Sequence, residues 1–227
     1  MGGYFVVFEG PEGSGKSTQA RALATSLTTA GWRVRLTREP GGTAIGEQIR
    51  AILLDHGNNA MLPETETLLY TAARAQHVGE LIRPALAAHE VVICDRFVDS
   101  TLTYQGAGRG LSATELMAVQ RFAIGGLEPD LRLLLDLPVE RGLERRRVGR
   151  DEFNRLDAAD LAFHERVRRG YLDLARLNPT GWLVIDADDE RERIAAKIAA
   201  AVRERLGERA ELATPSTAPP HSGAAAP

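Results

Sequence analysis

Five short runs of apolar residues divide the chain and predict the strands of a sheet. The runs cover residues 4–8, 34–37, 91–94, 131–137 and 182–185. Nearly continuous apolar runs of this length are typical of strands that are buried on both faces. The pattern therefore predicts five buried strands.

Between these runs, apolar residues recur at helical spacing. Ile45, Ile49, Ile52 and Leu53 share one face of a predicted helix, and further helices are expected over 18–27, 63–89, 113–123, 139–147, 161–177 and 190–206. Strands that alternate with helices form a parallel sheet covered on both faces. The predicted fold class is α/β, with a five-stranded parallel sheet between two helical layers. In such folds ligands bind at the carboxyl ends of the strands.

Composition agrees with one folded domain. The chain has 227 residues, of which 44% are hydrophobic and 26% are charged, enough for a substantial core. We expect that domain to cover residues 1–206, because residues 207–227 are rich in Ala, Pro, Ser, Thr and Gly and predict a disordered tail.

Net charge and hydropathy limit the kinds of binding partner and the cellular location that we expect for this protein. The net charge is −3, so no strong positive field indicates nucleic acid, and a small ligand is expected. No apolar stretch approaches the length of a membrane span, and the N-terminus carries no targeting pattern. The single cysteine, Cys94, lies in a predicted strand and excludes an internal disulfide. These features predict a cytoplasmic protein without membrane contact.

The segment GPEGSGKS at 10–17 matches the phosphate-loop pattern GxxxxGK[ST] and directly follows the first predicted strand. Backbone N–H groups of such a loop point at phosphate oxygens, and the next helix adds the positive end of its dipole. Lys16 would reach the β and γ phosphates and Ser17 would ligate Mg²⁺. The predicted ATP-binding residues are Gly10, Pro11, Glu12, Gly13, Ser14, Gly15, Lys16, Ser17 and Thr18.

An acid and a base follow the third apolar run. Asp95 is suited to hold Mg²⁺ as the acid of a phosphate-loop enzyme, and Arg96 to clamp phosphate oxygens with two parallel hydrogen bonds. An ion pair at a strand end is the alternative. Proximity to the phosphate loop favours the functional interpretation.

A third segment is dense in arginine. It contains Arg141, Arg145, Arg146, Arg147, Arg150 and Arg155. This pattern predicts a mobile lid over about 145–157 that lowers guanidinium groups onto a triphosphate and excludes water. A solvated helix face accounts equally well for about half of these arginines, and periodicity does not show which ones point inward.

Several motifs in this order make the chain resemble the thymidylate kinase family as far as about residue 206. They are FEGPEGSGKST at 8–18, TREPGGT at 37–43, YTAAR at 70–74, DRFVDSTLTYQGAGRG at 95–110 and NRLD at 154–157. The resemblance implies transfer of the γ-phosphoryl group of ATP to dTMP, in dTTP biosynthesis, with Mg²⁺ as cofactor. It also implies in-line transfer without a covalent enzyme intermediate, and a homodimer.

The resemblance also assigns roles to residues. Glu12 is expected near the sugar hydroxyl and acceptor phosphate, Arg96 on the phosphate, Tyr70 stacked on thymine and Arg74 on a base carbonyl. Thr101 would read the thymine edge and Tyr104 would crowd the sugar's 2′ position. The expected dTMP-binding set is Glu12, Arg38, Pro40, Arg50, Tyr70, Arg74, Arg96, Ser100, Thr101, Tyr104 and Gln105. For Gln105, a structural role in a glycine-rich loop over 106–110 is an equal alternative, and for Tyr70 the alternative is a core position.

Position 13 separates two subtypes of the family. Some members carry arginine there, whereas this chain has Gly13. In the subtype without that arginine the lid supplies the charge, so Arg150 and Arg155 are expected to be catalytic together with Lys16, Arg96 and Glu12.

Two other functions fit parts of the pattern. Another phosphate-loop kinase, of guanylate or adenylate type, would share the loop but need a different acceptor pocket, and Arg74 with Thr101 favours a pyrimidine. A nucleotide-dependent switch would hydrolyse triphosphate slowly without any acceptor.

Overall fold

Five parallel strands form the centre of the molecule. The computed structural model describes residues 2–148 and 159–212. The strands are β1 (Tyr4–Glu9), β2 (Val34–Arg38), β3 (Val91–Asp95), β4 (Leu131–Asp136) and β5 (Trp182–Asp186). Their order is β2-β3-β1-β4-β5, and every neighbouring pair is parallel. The predicted parallel sheet is confirmed, and the predicted strand ends are correct to within one residue.

Helices cover both faces of this sheet. They are α1 (Lys16–Thr29), α2 (Ala44–Leu54), α3 (Pro63–His77), α4 (Arg83–Ala87), α5 (Val98–Thr101), α6 (Ala113–Ile124), α7 (Val139–Val148), α8 (Leu161–Leu177) and α9 (Arg191–Leu212). A short 3₁₀ turn covers His56–Asn58, and wider π-helical turns cover Val78–Ile82 and Leu102–Gly108. Within the described residues, no helix has the length and apolar composition required to cross a membrane.

The two faces of β1 pack against different helices, because successive side chains of a strand point in opposite directions. Val6 and Phe8 belong to a core with residues of α1 and α9. Phe5 and Val7 pack on the other face, with residues of the 78–87 helical segment and with Phe97. Every residue of β1 is buried, as expected for a central strand of a three-layer fold.

The C-terminal boundary differs from the prediction. Helix α9 continues to Leu212, whereas the sequence predicted a disordered tail from residue 207. Residues 208–212 include glutamate, arginine, alanine and leucine, which are good helix formers. Gly207 is therefore accommodated within the helix. Residues 213–227 lie outside the described part.

The segment predicted to include a glycine-rich loop at 106–110 is helical as far as Gly108. Helix propensity is low here, but tight packing against α8 compensates. A Cβ atom on Gly170 would lie 3.0 Å from that of Ala107, and one on Gly108 would lie 2.5 Å from the ring of Phe163. The two helical segments thus approach closely at glycines, which brings Thr101 and Tyr104 to the carboxyl edge of the sheet.

Enlarging Gly170 tests this close approach. Gly170→Leu should lower the free energy of unfolding by about 1–3 kcal/mol, because the side chain overpacks a filled contact. Gly207→Leu is the matched control: a Cβ there meets nothing within 4 Å, so stability should rise by about 0.5–1 kcal/mol. Urea unfolding followed by circular dichroism measures both. Equal stability of Gly170→Leu and the wild type would contradict the packing described.

Candidate active site

The phosphate loop connects the last residue of β1 to the first turn of α1. Gly10 and Gly13 have φ of 141° and 70°, a region that favours glycine. A Cβ on Gly13 would lie 2.0 Å from the carbonyl oxygen of Gly142 in α7. Position 13 therefore has no room for a side chain here, which gives a steric reason for the glycine noted in the sequence.

Lys16 lies within the loop and is only 6% exposed. Its Nζ donates to the carbonyl oxygen of Pro11 at 2.7 Å and to Oγ of Ser14 at 3.3 Å. Burial and the nearby charge of Arg96 lower the pKa of Lys16 to about 8, against the opposing effect of Glu12 and Asp95. An anionic ligand placed beside Nζ would favour the charged amine.

Arg96 follows β3 and points into the same cleft. Its Nη2 donates to Oε1 of Glu12 at 2.7 Å and to Oη of Tyr104 at 3.0 Å. Its guanidinium lies 4.8 Å from the centre of the Tyr104 ring. Burial alone would lower the pKa of Arg96, but Glu12 and the other neighbouring groups raise it well above its ordinary value.

Glu12 is the counter-ion of Arg96. Burial alone would raise the pKa of Glu12, but Arg96, Lys16 and the hydroxyl of Tyr104 lower it to about 2. Tyr104 Oη donates to Glu12 Oε1 at 2.9 Å. The phosphate loop is thus connected directly to the residues that follow β3.

Ser17 and Asp95 present oxygen atoms suited to Mg²⁺. Ser17 Oγ donates to Oδ2 of Asp95, while Oδ1 of Asp95 is buried and has no hydrogen-bond partner among the described residues. Hydroxyl and carboxylate oxygens are the ligands that Mg²⁺ prefers. The described part contains no cluster of three or more histidine, cysteine or acidic side chains suited to a metal. A site shared with substrate phosphates therefore fits these two residues.

Arg74 also lines the cleft and is held in a buried network. Its Nε donates to Glu39 at 2.7 Å, Nη1 donates to Thr101 at 3.0 Å and to Gln120, and Nη2 donates to the carbonyl oxygen of Phe97 at 2.9 Å. Arg74 is 1% exposed. These contacts fix the plane of its guanidinium.

The other predicted acceptor residues differ in how they are held. Arg38 is half exposed and pairs with Glu47 at 2.8 Å, while Arg50 donates to the carbonyl oxygen of Pro40 at 3.0 Å. Burial lowers the pKa of Arg50, and the nearby positive charge of Arg38 lowers it further. Gln105 donates to a carboxylate oxygen of Glu66 at 2.8 Å.

One cleft of about 1050 Å³ brings most of the predicted residues together. Its lining includes Glu12, Gly13, Ser14, Gly15, Lys16, Ser17, Thr18, Arg38, Pro40, Arg50, Tyr70, Arg74, Asp95, Arg96, Ser100, Thr101, Tyr104 and Gln105. Gly10 and Pro11 shape the loop without lining the cleft. Arg150 and Arg155, and most of the predicted lid, lie outside the described residues.

Sequence reasoning missed several lining residues. Glu39 lies in the TREPGGT motif but received no role, although it orients Arg74. Others come from α1 and from the corner between β5 and α9: Gln19, Arg21, Ala187, Asp189 and Arg191. Buried Gln19 donates to the carbonyl oxygen of Arg191 at 3.0 Å. No local motif marks these residues, because they meet only through the order of the strands.

Comparison with known proteins identifies the family. Residues 8–198 match the family model described as thymidylate kinase. The chain belongs to the thymidylate kinase family. It is 53% identical over 201 residues to the thymidylate kinase of Thermomicrobium roseum, covering 88% of this chain and 95% of that protein. It is 50% identical over 226 residues to that of Herpetosiphon aurantiacus, covering 89% and 96%.

A solved structure agrees with the family membership. The crystal structure of thymidylate kinase from Ehrlichia chaffeensis superposes with a TM-score of 0.74 at 31% identity, and the match covers 89% of this chain and 99% of that one. The fold is therefore that of a phosphate-loop kinase, and the protein is an enzyme that phosphorylates dTMP in nucleotide synthesis.

The lowered pKa of Lys16 predicts proton uptake when ATP binds. At pH 8.5 much of the amine is neutral, and the phosphates should recharge it, taking up roughly half to one proton per site. Calorimetric titration of Mg-ATP in Tris and in bicine would reveal this as a buffer-dependent heat. Lys16→Arg should abolish the uptake, whereas Lys197→Met, which changes the chain's other lysine, should retain it. Buffer-independent heats in the wild type would exclude the effect.

Proposed function

We propose that the enzyme transfers the γ-phosphoryl group of Mg-ATP to dTMP in a single in-line step, giving ADP and dTDP. The observation that carries this proposal is the convergence of Lys16, Asp95 and the Arg96–Glu12 pair on one cleft. Donor and acceptor phosphates can meet there, as direct transfer requires.

The donor occupies the phosphate loop in this proposal. Backbone N–H groups of residues 13–17 bind its β phosphate, and Lys16 bridges the β and γ phosphates. Ser17 and Asp95 would hold Mg²⁺, which supplies charge neutralisation between the phosphates when bound. Arg145 and Arg146 of α7 also line the cleft, so charge from the α7 side supplements Lys16.

The acceptor lies toward β3 and α3. Arg96 binds the dTMP phosphate, and Glu12 with Tyr104 lies beside the sugar. Tyr70 stacks on the base, and the Arg74–Thr101 pair reads its edge, since a fixed guanidinium is suited to a carbonyl oxygen. Two observations support this placement of dTMP. Arg74 is hydrogen-bonded to Thr101, and Arg96 to Glu12 and Tyr104, and dTMP is the acceptor that the family's name indicates.

The reaction needs little acid–base chemistry. The attacking atom is an anionic phosphate oxygen, so the protein contributes positioning and positive charge. Arg96 and Lys16 line the same cleft and supply this charge. Arg150 and Arg155 remain proposed lid residues.

Acceptor dependence tests the function. ADP release from Mg-ATP should be strongly and selectively stimulated by dTMP among dTMP, UMP, dCMP, dGMP and dAMP, with only slow release without acceptor. Lys16→Ala should lower kcat by at least about 100-fold, because it removes charge stabilisation of the transferred group. Lys197→Ala is the matched control and should retain full activity.

Each other outcome of that assay has a defined meaning. Stimulation by a different monophosphate would keep the mechanism and exclude dTMP as the preferred acceptor. Turnover independent of any acceptor would indicate a switch and contradict the proposal.

We further propose that the enzyme is a homodimer that pairs through the surface of α2, α3 and α6. Apolar side chains are exposed on all three helices: Ile45 at 50%, Ile52 at 47%, Leu68 at 59% and Phe122 at 89%. Helix α3 packs against both α2 and α6. Such an exposed apolar group is typical of a protein interface. Of the apolar face Ile45, Ile49, Ile52 and Leu53 predicted on α2, Ile45 and Ile52 are thus exposed, whereas Leu53 is fully buried.

Charge on this surface should prevent pairing. Leu68→Asp is expected to convert a dimer into a monomer in sedimentation-velocity experiments, because an unpaired carboxylate is costly in an apolar interface. Leu177→Asp changes a more exposed leucine, 82% exposed at the end of α8, and should leave the dimer intact. A monomeric wild type, or a dimeric Leu68→Asp, would contradict this interface.

A further inference from the structure

Glu9 is a fully buried carboxylate that the proposed mechanism does not use. It ends β1, one residue before the phosphate loop, and is 0% exposed. Its Oε1 accepts from the backbone N–H of Phe97 at 2.9 Å. Its Oε2 accepts from Ser100 Oγ at 2.6 Å and from Tyr171 Oη at 2.9 Å. A buried carboxylate is costly unless it is hydrogen-bonded, so a specific requirement at this position has to explain it.

The partners of Glu9 converge on Arg96. Ser100 Oγ and Tyr171 Oη lie 2.8 Å apart, and both accept from Nη1 of Arg96, at 3.2 Å and 3.1 Å. When the two hydroxyl hydrogens are directed at the Glu9 carboxylate, the oxygen lone pairs remain for the guanidinium. Glu9 thereby orients the acceptors that hold one edge of Arg96, while Glu12 and Tyr104 hold the other.

Glu9 also fixes the backbone that presents Arg96. Arg96 has φ of 74°, a left-handed conformation that is unfavourable for a residue other than glycine. The turn is held on both sides: Arg96 N–H donates to the carbonyl oxygen of Phe8 at 2.9 Å, and the next N–H, of Phe97, donates to Glu9. The end of β1 therefore holds both the backbone and the side chain of Arg96.

The charge distribution indicates hydrogen bonding as the role of Glu9. Burial, and next the charge of Asp99, raise the pKa of Glu9 to about 7, whereas Ser100, Arg96 and the Phe97 amide oppose the rise. Asp99 itself pairs with Arg132 at 2.8 Å. Glu12 accepts directly from Nη2 of Arg96 at 2.7 Å and is its counter-ion, whereas Glu9 is connected to Nη1 through the hydroxyls of Ser100 and Tyr171.

We propose that Glu9 is a positioning residue for phosphoryl transfer, which acts through Ser100, Tyr171 and the Phe97 amide to fix the guanidinium of Arg96 toward the acceptor phosphate. This inference rests on the proposed role of Arg96 in the transfer reaction. Residues from β1, α5 and α8 form a single support for one catalytic group, as precise positioning of a charged donor requires.

A double-mutant cycle tests the proposal. Tyr171→Phe removes one hydroxyl and should lower kcat/KM for dTMP about tenfold, the scale of a hydrogen bond to a charged group. In an Arg96→Met background the same change should alter kcat/KM less than about twofold, because the hydroxyl then has no guanidinium to orient. Thymidine, which lacks the phosphate, should bind wild type and Tyr171→Phe equally in calorimetry.

Further variants separate positioning from a general loss of structure. Glu9→Gln keeps the shape but replaces an acceptor oxygen by a donor amide, and it should repeat the behaviour of Tyr171→Phe in both backgrounds. If Tyr171→Phe does not fold, Glu9→Gln and Ser100→Ala replace it as the variants that are combined with Arg96→Met in the double-mutant cycle. Tyr4→Phe is the control: it deletes a buried tyrosine hydroxyl at the other end of β1 and should leave kinetics unchanged.

The outcomes distinguish this inference from the function on which it rests. Equal losses in the wild-type and Arg96→Met backgrounds, or weakened thymidine binding, would overturn the positioning role while leaving the kinase activity established. Absence of dTMP-stimulated ADP release in the wild type would overturn both. Loss of activity confined to the background with Arg96 intact, with unchanged thymidine binding, supports the proposal.

Discussion

The ion pair between Arg96 and Glu12 is the interaction on which the site depends. Both side chains are largely buried, 16% and 15% exposed, and removal of one partner from a buried pair typically costs about 3–5 kcal/mol. The pair joins the phosphate loop to the corner after β3. It therefore fixes the distance between the phosphate loop, the proposed donor site, and Arg96, which is proposed to bind the acceptor phosphate.

The strand order makes this pair possible. Strands β1 and β3 are neighbours in register, with Phe8 opposite Asp95, so the residues that follow them emerge side by side at the carboxyl edge. Helix α8 packs on the face of the sheet opposite to α1 and α9 and adds Tyr171 to the site. Its close contact at Gly170 keeps the segment 98–108 helical and places Ser100 and Tyr104 around the guanidinium.

The fold is largely predictable because short-range patterns encode it. Buried strands appear as apolar runs and the phosphate loop as a contiguous motif, so both can be located from the order of residues alone. The structure differs from the prediction at two places. Packing against α8 keeps the segment to Gly108 helical despite its glycines, and α9 passes through Gly207 to Leu212 because good helix formers follow that glycine. Arg150 and Arg155 stay predictions.

The sequence by itself determined the fold class, the nucleotide-binding loop and, through several ordered motifs, the family. Only the tertiary structure decided which side chains support the reacting groups. Tyr171 contacts Glu9 across 162 positions and Arg96 across 75, and neither tyrosine nor glutamate stands out locally from an ordinary core or strand-end residue. A local motif such as the phosphate loop reflects the backbone conformation that phosphate binding requires. The side chains that hold Arg96 meet only after the sheet has brought distant segments to one edge, and that proximity leaves no trace in local spacing.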